Sequence, residues 1–320
     1  MFNWIKKGRI YTPENYPDRP NWMLEFAQAP FTLELEDRVR VYFGCRPPRD
    51  SNGQYVTYTA YIDLDKNDLY NVIDISKEPV LSLGEKGTFD EFGTYPFSVI
   101  REKNEIRAYY AGWTRCDSVP FNVGVGMAKS TDGGKRFTRV GNGPVLPYTA
   151  HEPFTISGPK IKRFNDTYYL FYIAGKKWIL SNGRPEISHK IRMATSNDGI
   201  NWNKINQDIV PNGWDENEAQ ASPDVTYANG KYHMFFCGWV PSSFRDKPNR
   251  KIGYAYSTDL VHWTRADELV GIHTSETGWD SEMIAYPHVF QLNGKTYLLY
   301  IGNEVGRYGF GLAELNGELK

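Results

Sequence analysis

The chain has 320 residues and a formal net charge of −1 with both signs well mixed, which excludes the basic stripe of a nucleic-acid binder. Aromatics make up 15% of it, including nine Trp and 22 Tyr, more flat surface than most cores need, although a β-core absorbs the larger part. The N-terminus lacks an apolar signal-peptide region and no run is long and apolar enough to span a membrane. The three cysteines, Cys45, Cys116 and Cys237, are scattered and odd in number, so neither a disulfide framework nor a zinc site is expected. A cytoplasmic protein without cofactor is the expectation.

The chain opens on a short strand, Asn3–Lys7, whose pattern matches Asn201–Lys204 much further on. From there the sequence repeats. Pro30, Pro96, Pro159, Pro223 and Pro287 are spaced by 66, 63, 64 and 64 residues. Each proline opens a strand that ends in a turn, at 36–37, 103–104, 165–166, 229–230 and 293–294. Asn-Gly, at the last two, is a strong hairpin signal. An aromatic strand follows in every copy: Val39–Gly44, Ile106–Gly112, Tyr168–Gly175, Tyr232–Gly238 and Tyr297–Gly302. Then comes a third strand: Val56–Ala60, Val123–Ala128, Ile191–Ala194, Ile252–Ala255 and Phe310–Ala313. Three copies continue with a Ser-x-Asp turn and an aromatic that starts an outer strand, at 130–137, 196–202 and 257–263. The first copy replaces that turn with Asp63–Asn67.

Four strands in each of five units make an all-β, five-bladed β-propeller with four-stranded antiparallel blades. The last unit stops after its third strand, near Asn316–Gly317. The N-terminal strand supplies the missing outer strand and closes the last blade, so that residues 1–320 form one domain without a linker. Closure of this kind leaves no open edge between first and last blades.

In a propeller the segment entering each inner strand rims the central channel. Five residues before the repeat prolines stand Glu25, Glu91, Phe154, Glu218 and Glu282; the third unit carries His151-Glu152 two residues earlier. An acid recurring at one position in four of five blades suggests either a converging ring of carboxylates or a set of blade-junction contacts. Carboxylates brought together push their pKa values apart, as acid/base chemistry requires. The expected catalytic set is therefore Glu25, Glu91, Glu218 and Glu282, with Asp280 tuning a neighbour. Expected substrate contacts are Arg46, Tyr95, Trp113, Arg115, Glu152, Trp239, Trp279, Tyr286, His288 and Asn303. Asp90, Ser157, Gln220, Ser222, Asp224, Lys176, Glu304 and Arg307 flank the same rim. His151 and His288 are within expected reach of the channel, without metal-site spacing. Aromatic platforms beside acids and arginines suit a polyhydroxylated ring, and a carbohydrate is the expected partner; the sequence leaves the oligomeric state open.

With these repeats and rim acids, the chain resembles the five-bladed propeller glycosidases of glycoside hydrolase families 43, 32 and 68. The stretches Ser196–Trp202, Ile252–Ser257, Gly278–Ile284 and Tyr308–Ala313 are similar to a bacterial subfamily encoded in surface-polysaccharide loci. The resemblance spans the whole chain. It implies three acids on separate blades acting as base or nucleophile, pKa modulator and general acid. In the hydrolase pattern the base commonly stands immediately before a proline. Here the pre-proline residues are Ala29, Tyr95, Gly158, Ser222 and Tyr286, and only Glu152-Pro153 has an acid there, out of register. Three functions follow: a glycoside hydrolase or transglycosylase, a glycoside phosphorylase fed by Arg46, Arg115 and Arg307, or a non-catalytic carbohydrate-binding protein. Carboxyl separation distinguishes retaining chemistry, at about 5–5.5 Å, from inverting chemistry, at roughly 6.5–9.5 Å.

Overall fold

The structure, a computed structural model, describes residues 1–243 and 249–320. Five antiparallel four-stranded sheets stand in a ring. The first blade runs Glu25–Glu34, Arg38–Arg46, Tyr58–Asp65 and Val72–Ile75 from the inside out. The second runs Gly93–Arg101, Ile106–Arg115, Phe121–Ser130 and Thr138–Arg139. Ile156–Phe164, Thr167–Ser181, Arg184–Ser196 and Asn203–Lys204 form the third. Ala219–Ala228, Lys231–Trp239, Lys251–Ser257 and Thr264–Arg265 form the fourth. The fifth consists of Ala285–Leu292, Lys295–Ile301 and Phe310–Leu315, completed on its outside by Trp4–Tyr11 from the other end of the chain. Trp4 lies opposite Leu315 and Tyr11 opposite Phe310 in that closing pair. Among the described residues no helix is long and apolar enough to cross a membrane.

The aromatic second strands supply the packing between blades. Phe43, Phe171 and Phe236 of second strands are fully buried in one shared cluster with Phe310 of the fifth blade's third strand. Tyrosine hydroxyls then stitch blade to blade. Tyr42 of the first blade donates to the Gly134 carbonyl in the second blade's outer turn at 2.7 Å, and Tyr109 of the second donates to Gly199 in the third at 2.6 Å. Both glycines have positive φ, and a Cβ on either would meet the tyrosine hydroxyl, at 2.2 and 2.6 Å. The turn aspartates cap as their sequence predicts: Asp132, Asp198 and Asp259 each accept two backbone N–H groups of the same turn.

One irregularity recurs in every blade and positions the site. The register between inner and second strands slips at Gln28/Phe31, Thr94/Phe97, Ser157/Lys160, Ala221/Asp224 and Ala285/His288. Each slip brackets a repeat proline and the residue before it. Proline has no N–H to give the ladder, so a bulge there loses no hydrogen bond. Ala29, Gly158, Ser222 and Tyr286 take positive φ at the bulge, from 47° to 60°, while Tyr95 precedes a cis Tyr95-Pro96 bond.

Candidate functional site

The five bulges surround a cavity of about 900 Å³. Inner-strand and neighbouring residues of all five blades line it, which places it on the ring axis: Gln28, Tyr95, Ser157, Ser222 and Tyr286 each come from a different blade. The pre-proline residues Tyr95, Gly158, Ser222 and Tyr286 are all in the wall. A residue turned at a bulge has its side chain re-aimed, which is how a regular ladder comes to present these groups inward.

Aromatic and cationic groups dominate the wall. Tyr95 and Tyr286 are half-buried neighbours, with Arg46 and Arg250 acting on them electrostatically. Burial above all, with Tyr286 adding, raises the Tyr95 phenol well above its ordinary value. Arg250 donates to the Tyr286 hydroxyl at 3.0 Å and lies 4.1 Å over the Trp239 ring. Arg46 donates to the Gln28 side-chain oxygen at 3.0 Å and stacks on Phe26 and Tyr55, 4.7 and 4.9 Å from their centroids. Burial lowers the Arg46 guanidinium, against the pull of Tyr95 and Tyr286.

Beneath this layer the residues after the prolines turn inward. Lys160 is buried, 4.9 Å from the centre of the Phe31 ring. Burial pushes its ammonium down to about 8, although Asp224 opposes the shift. Asp224, fully buried, also meets Lys162 at 3.0 Å and His288 at 3.1 Å. Burial holds the His288 imidazole down at about 4 despite that carboxylate. His189, also buried, shares a 3.0 Å hydrogen bond with Thr155; burial and then Arg250 push it down to about 3, so the ring is neutral.

Six of the ten expected contact residues line the cavity: Arg46, Tyr95, Trp113, Arg115, Trp239 and Tyr286. Glu152, Trp279, His288 and Asn303 do not. Trp279 stacks on Tyr300 at 5.2 Å within its own blade. Asn303 takes the N–H of Glu282 at 2.8 Å and donates to the Gly278 carbonyl. His288 serves the layer below the cavity, and His151 is exposed outside the lining.

The five expected catalytic acids are absent from the lining among the described residues, and they do not form one ring. Glu282 is exposed. Glu91 accepts the Gly87 N–H at 2.8 Å inside its own loop. Glu25 stands behind the wall, accepting from the Tyr55 hydroxyl at 2.7 Å. Glu218 and Asp280 belong with Asp90 and Glu152 in a recurring clasp. In four blades the entry acid reaches a cation on that blade's outer strand: Asp90 to Arg139, Glu152 to Lys204, Glu218 to Arg265 and Asp280 to Lys6. In three of these a second-strand tyrosine adds its hydroxyl, Tyr110 to Asp90, Tyr172 to Glu152 and Tyr300 to Asp280. Of the recurring glutamates only Glu218 joins such a clasp, and each clasp ties an entry segment to the outer strand of its own blade.

Sequence reasoning missed Lys160, Glu186, His189 and Arg250, all in the lining. Lys160 had a signal: the other repeat prolines are followed by Phe31, Phe97, Asp224 and His288, and a lysine in that inward register stands out. Glu186 and His189 sit on the third blade's third strand and Arg250 just before the fourth blade's, where the repeat carries no mark. Among the described residues the lining carboxylates are Asp117, Glu186 and Glu304, with Glu186 half-buried and the other two exposed. Among the described residues no group of three or more His, Cys, Asp or Glu is placed to hold a metal ion.

No family model matches the chain. Solved structures share its fold: one called a glycoside hydrolase superposes with a TM-score of 0.75 at 17% identity, covering 98% of this chain and 92% of its own. A thermostable family-43 glycoside hydrolase gives a TM-score of 0.67 at 15% identity, covering 93% and 95%. In sequence, the Mycobacterium tuberculosis proteins Rv1502 and MT1551, both called uncharacterized, are 33% identical over 313 residues, covering 98% of this chain and 99% of theirs. The chain therefore belongs to the family of Rv1502 and MT1551, with the five-bladed propeller fold of the family-43 and family-32 glycoside hydrolases.

Proposed function

We propose that this is a carbohydrate-active protein of the glycosidase type, whose saccharide occupies the central cavity. The observation that carries this reading is the wall itself. Tyr55, Tyr95, Trp113, Trp239 and Tyr286 offer flat faces around hydrogen-bonding groups from every blade. A ring with one apolar face and a rim of hydroxyls matches such a surface, and a cavity of this size suits a small saccharide. The wall favours recognition of the sugar over cleavage by the entry acids, because those carboxylates are spent on loops and clasps.

A hydrolytic reading rests on a different pair. Glu186 on the third blade and Glu304 on the fifth line the cavity from non-adjacent blades. One experiment separates the readings: glycan binding by calorimetry alongside a glycoside and polysaccharide turnover screen, with and without phosphate. Trp239→Ala is expected to weaken saccharide binding about tenfold or more, the loss of one buried aromatic contact. Recognition alone predicts binding without turnover. Turnover that Glu186→Gln or Glu304→Gln abolishes while binding persists establishes the hydrolase. Turnover unaffected in both variants but lost in Glu218→Gln or Glu25→Gln returns catalysis to the entry acids.

A further inference from the structure

This inference rests on the saccharide reading and adds the class of saccharide. We propose that the ligand carries an oxyanion seated on the cavity floor between Arg46, Arg250 and Lys160, supplied by an acidic group on the sugar.

Charge is the first ground. The half-buried Arg46 guanidinium has no carboxylate partner among the described residues, its side-chain partner being the Gln28 oxygen, and Lys160 lies buried in the same lining. Arg115 is held by Asp50 at 3.0 Å outside the cavity. Lys160 has Asp224 behind it, but that carboxylate also serves Lys162 and His288. A buried guanidinium without a carboxylate partner is costly, and a ligand anion removes that cost.

The second ground is independent of charge. Arg46 Nε, Ser222 Oγ and His189 Nδ1 are buried atoms without a hydrogen-bond partner in the protein, and all three residues line the cavity. Ser222 is 4% exposed and His189 7%. A neutral His189 that accepts the Thr155 hydroxyl at Nε2 carries its proton on Nδ1, which makes that nitrogen a donor. Guanidinium, ammonium, hydroxyl and imidazole N–H groups together present donors, and an oxyanion is the group that only accepts. Trp113 and Trp239 remain for the sugar ring that bears it.

The test compares glucuronic acid with glucose, galacturonic acid with galactose, and inorganic phosphate and sulfate alone, by calorimetry on the full chain. The acid sugars are expected to bind about tenfold or more tightly than their neutral counterparts, and Arg46→Gln to shrink that ratio to about twofold or less. If Arg46→Gln does not fold, the wild-type salt series reads the same quantity: acid-sugar affinity falls between about 0.05 and 0.5 M salt and neutral-sugar affinity holds. Acid and neutral sugars bound equally tightly overturn the oxyanion subsite and leave the saccharide reading standing. Phosphate bound with no sugar bound supports the subsite, assigns its anion to free phosphate and sinks the saccharide reading. No binding by any probe overturns the proposal.

Discussion

Glu218 is fully buried, and its two oxygens receive Arg265, the Gln220 amide and the backbone N–H groups of Gly213 and Trp214. Burial alone would raise this carboxyl, and those four donors outweigh it, so it lies below its ordinary value. A carboxylate lowered in the folded state contributes stability above its ordinary value and loses it as the pH falls. Glu218→Gln should cost about 1.5–3 kcal/mol in urea unfolding at pH 7, because Arg265 loses one of its two carboxylate partners and keeps only Asp267, 2.8 Å away. The same variant should show a flatter loss of stability below pH 4.5, the ordinary value for this group. An unchanged midpoint would remove the clasp from the account of blade stability. Lys160 titrates in the opposite direction. Its folded value of about 8 lies below the ordinary 10.5, so the unfolded chain holds the proton more firmly and stability rises between those two pH values. Asp224 acts on it from the neighbouring inner strand, Lys162 from its own strand, and Cys237 from a second strand. As Lys160 loses its charge, oxyanion affinity should fall as the pH rises through about 8, and Lys160→Met should abolish that dependence.

At the scale of the element, the first eight-residue strand completes a sheet begun at the far end of the chain. Trp4 carries its outward contact, packing edge-on against Phe235 of the fourth blade at 5.6 Å. The indole is only 6% exposed. Trp4→Ala should therefore cost about 3–5 kcal/mol, and amide exchange should quicken first along Phe310–Leu315, whose ladder the strand covers. Equal protection of that segment in variant and wild type would show that the closing strand is not held by this ring. The strand was legible beforehand because Asn3–Lys7 repeats the pattern of an outer strand. The bulges were not legible as bulges: a proline every 63 to 66 residues dates the blades without revealing that its neighbour adopts positive φ.

Across the whole molecule the repeat made the architecture readable, since five copies of one hydrophobic pattern have few ways to bury it together. The site was only half readable. Alignment places residues at one level of the ring but does not say which way each side chain faces. Glu282 shares a level with Glu218, yet one is exposed and the other fully buried. Arg46, Tyr95, Trp113, Arg115, Trp239 and Tyr286 line the cavity because they stand at the ends of second strands or at pre-proline bulges, whereas Ala29 and Lys176 at the same kinds of position do not. Arg250 and His189 escaped because they stand beside or on third strands, where the repeat marks no channel position.

The pre-proline bulge also bears on how such a ring acquires new ligands. Ala29, Tyr95, Gly158, Ser222 and Tyr286 include a methyl, two phenols, a bare backbone and a hydroxyl at one equivalent place, with the ladder on either side intact. The bend is set by the backbone and its proline, so the group it presents is free to vary. Each blade thus holds one interchangeable slot around a shared axis, and the chemistry of the ring can change by five separate substitutions while the scaffold stays the same.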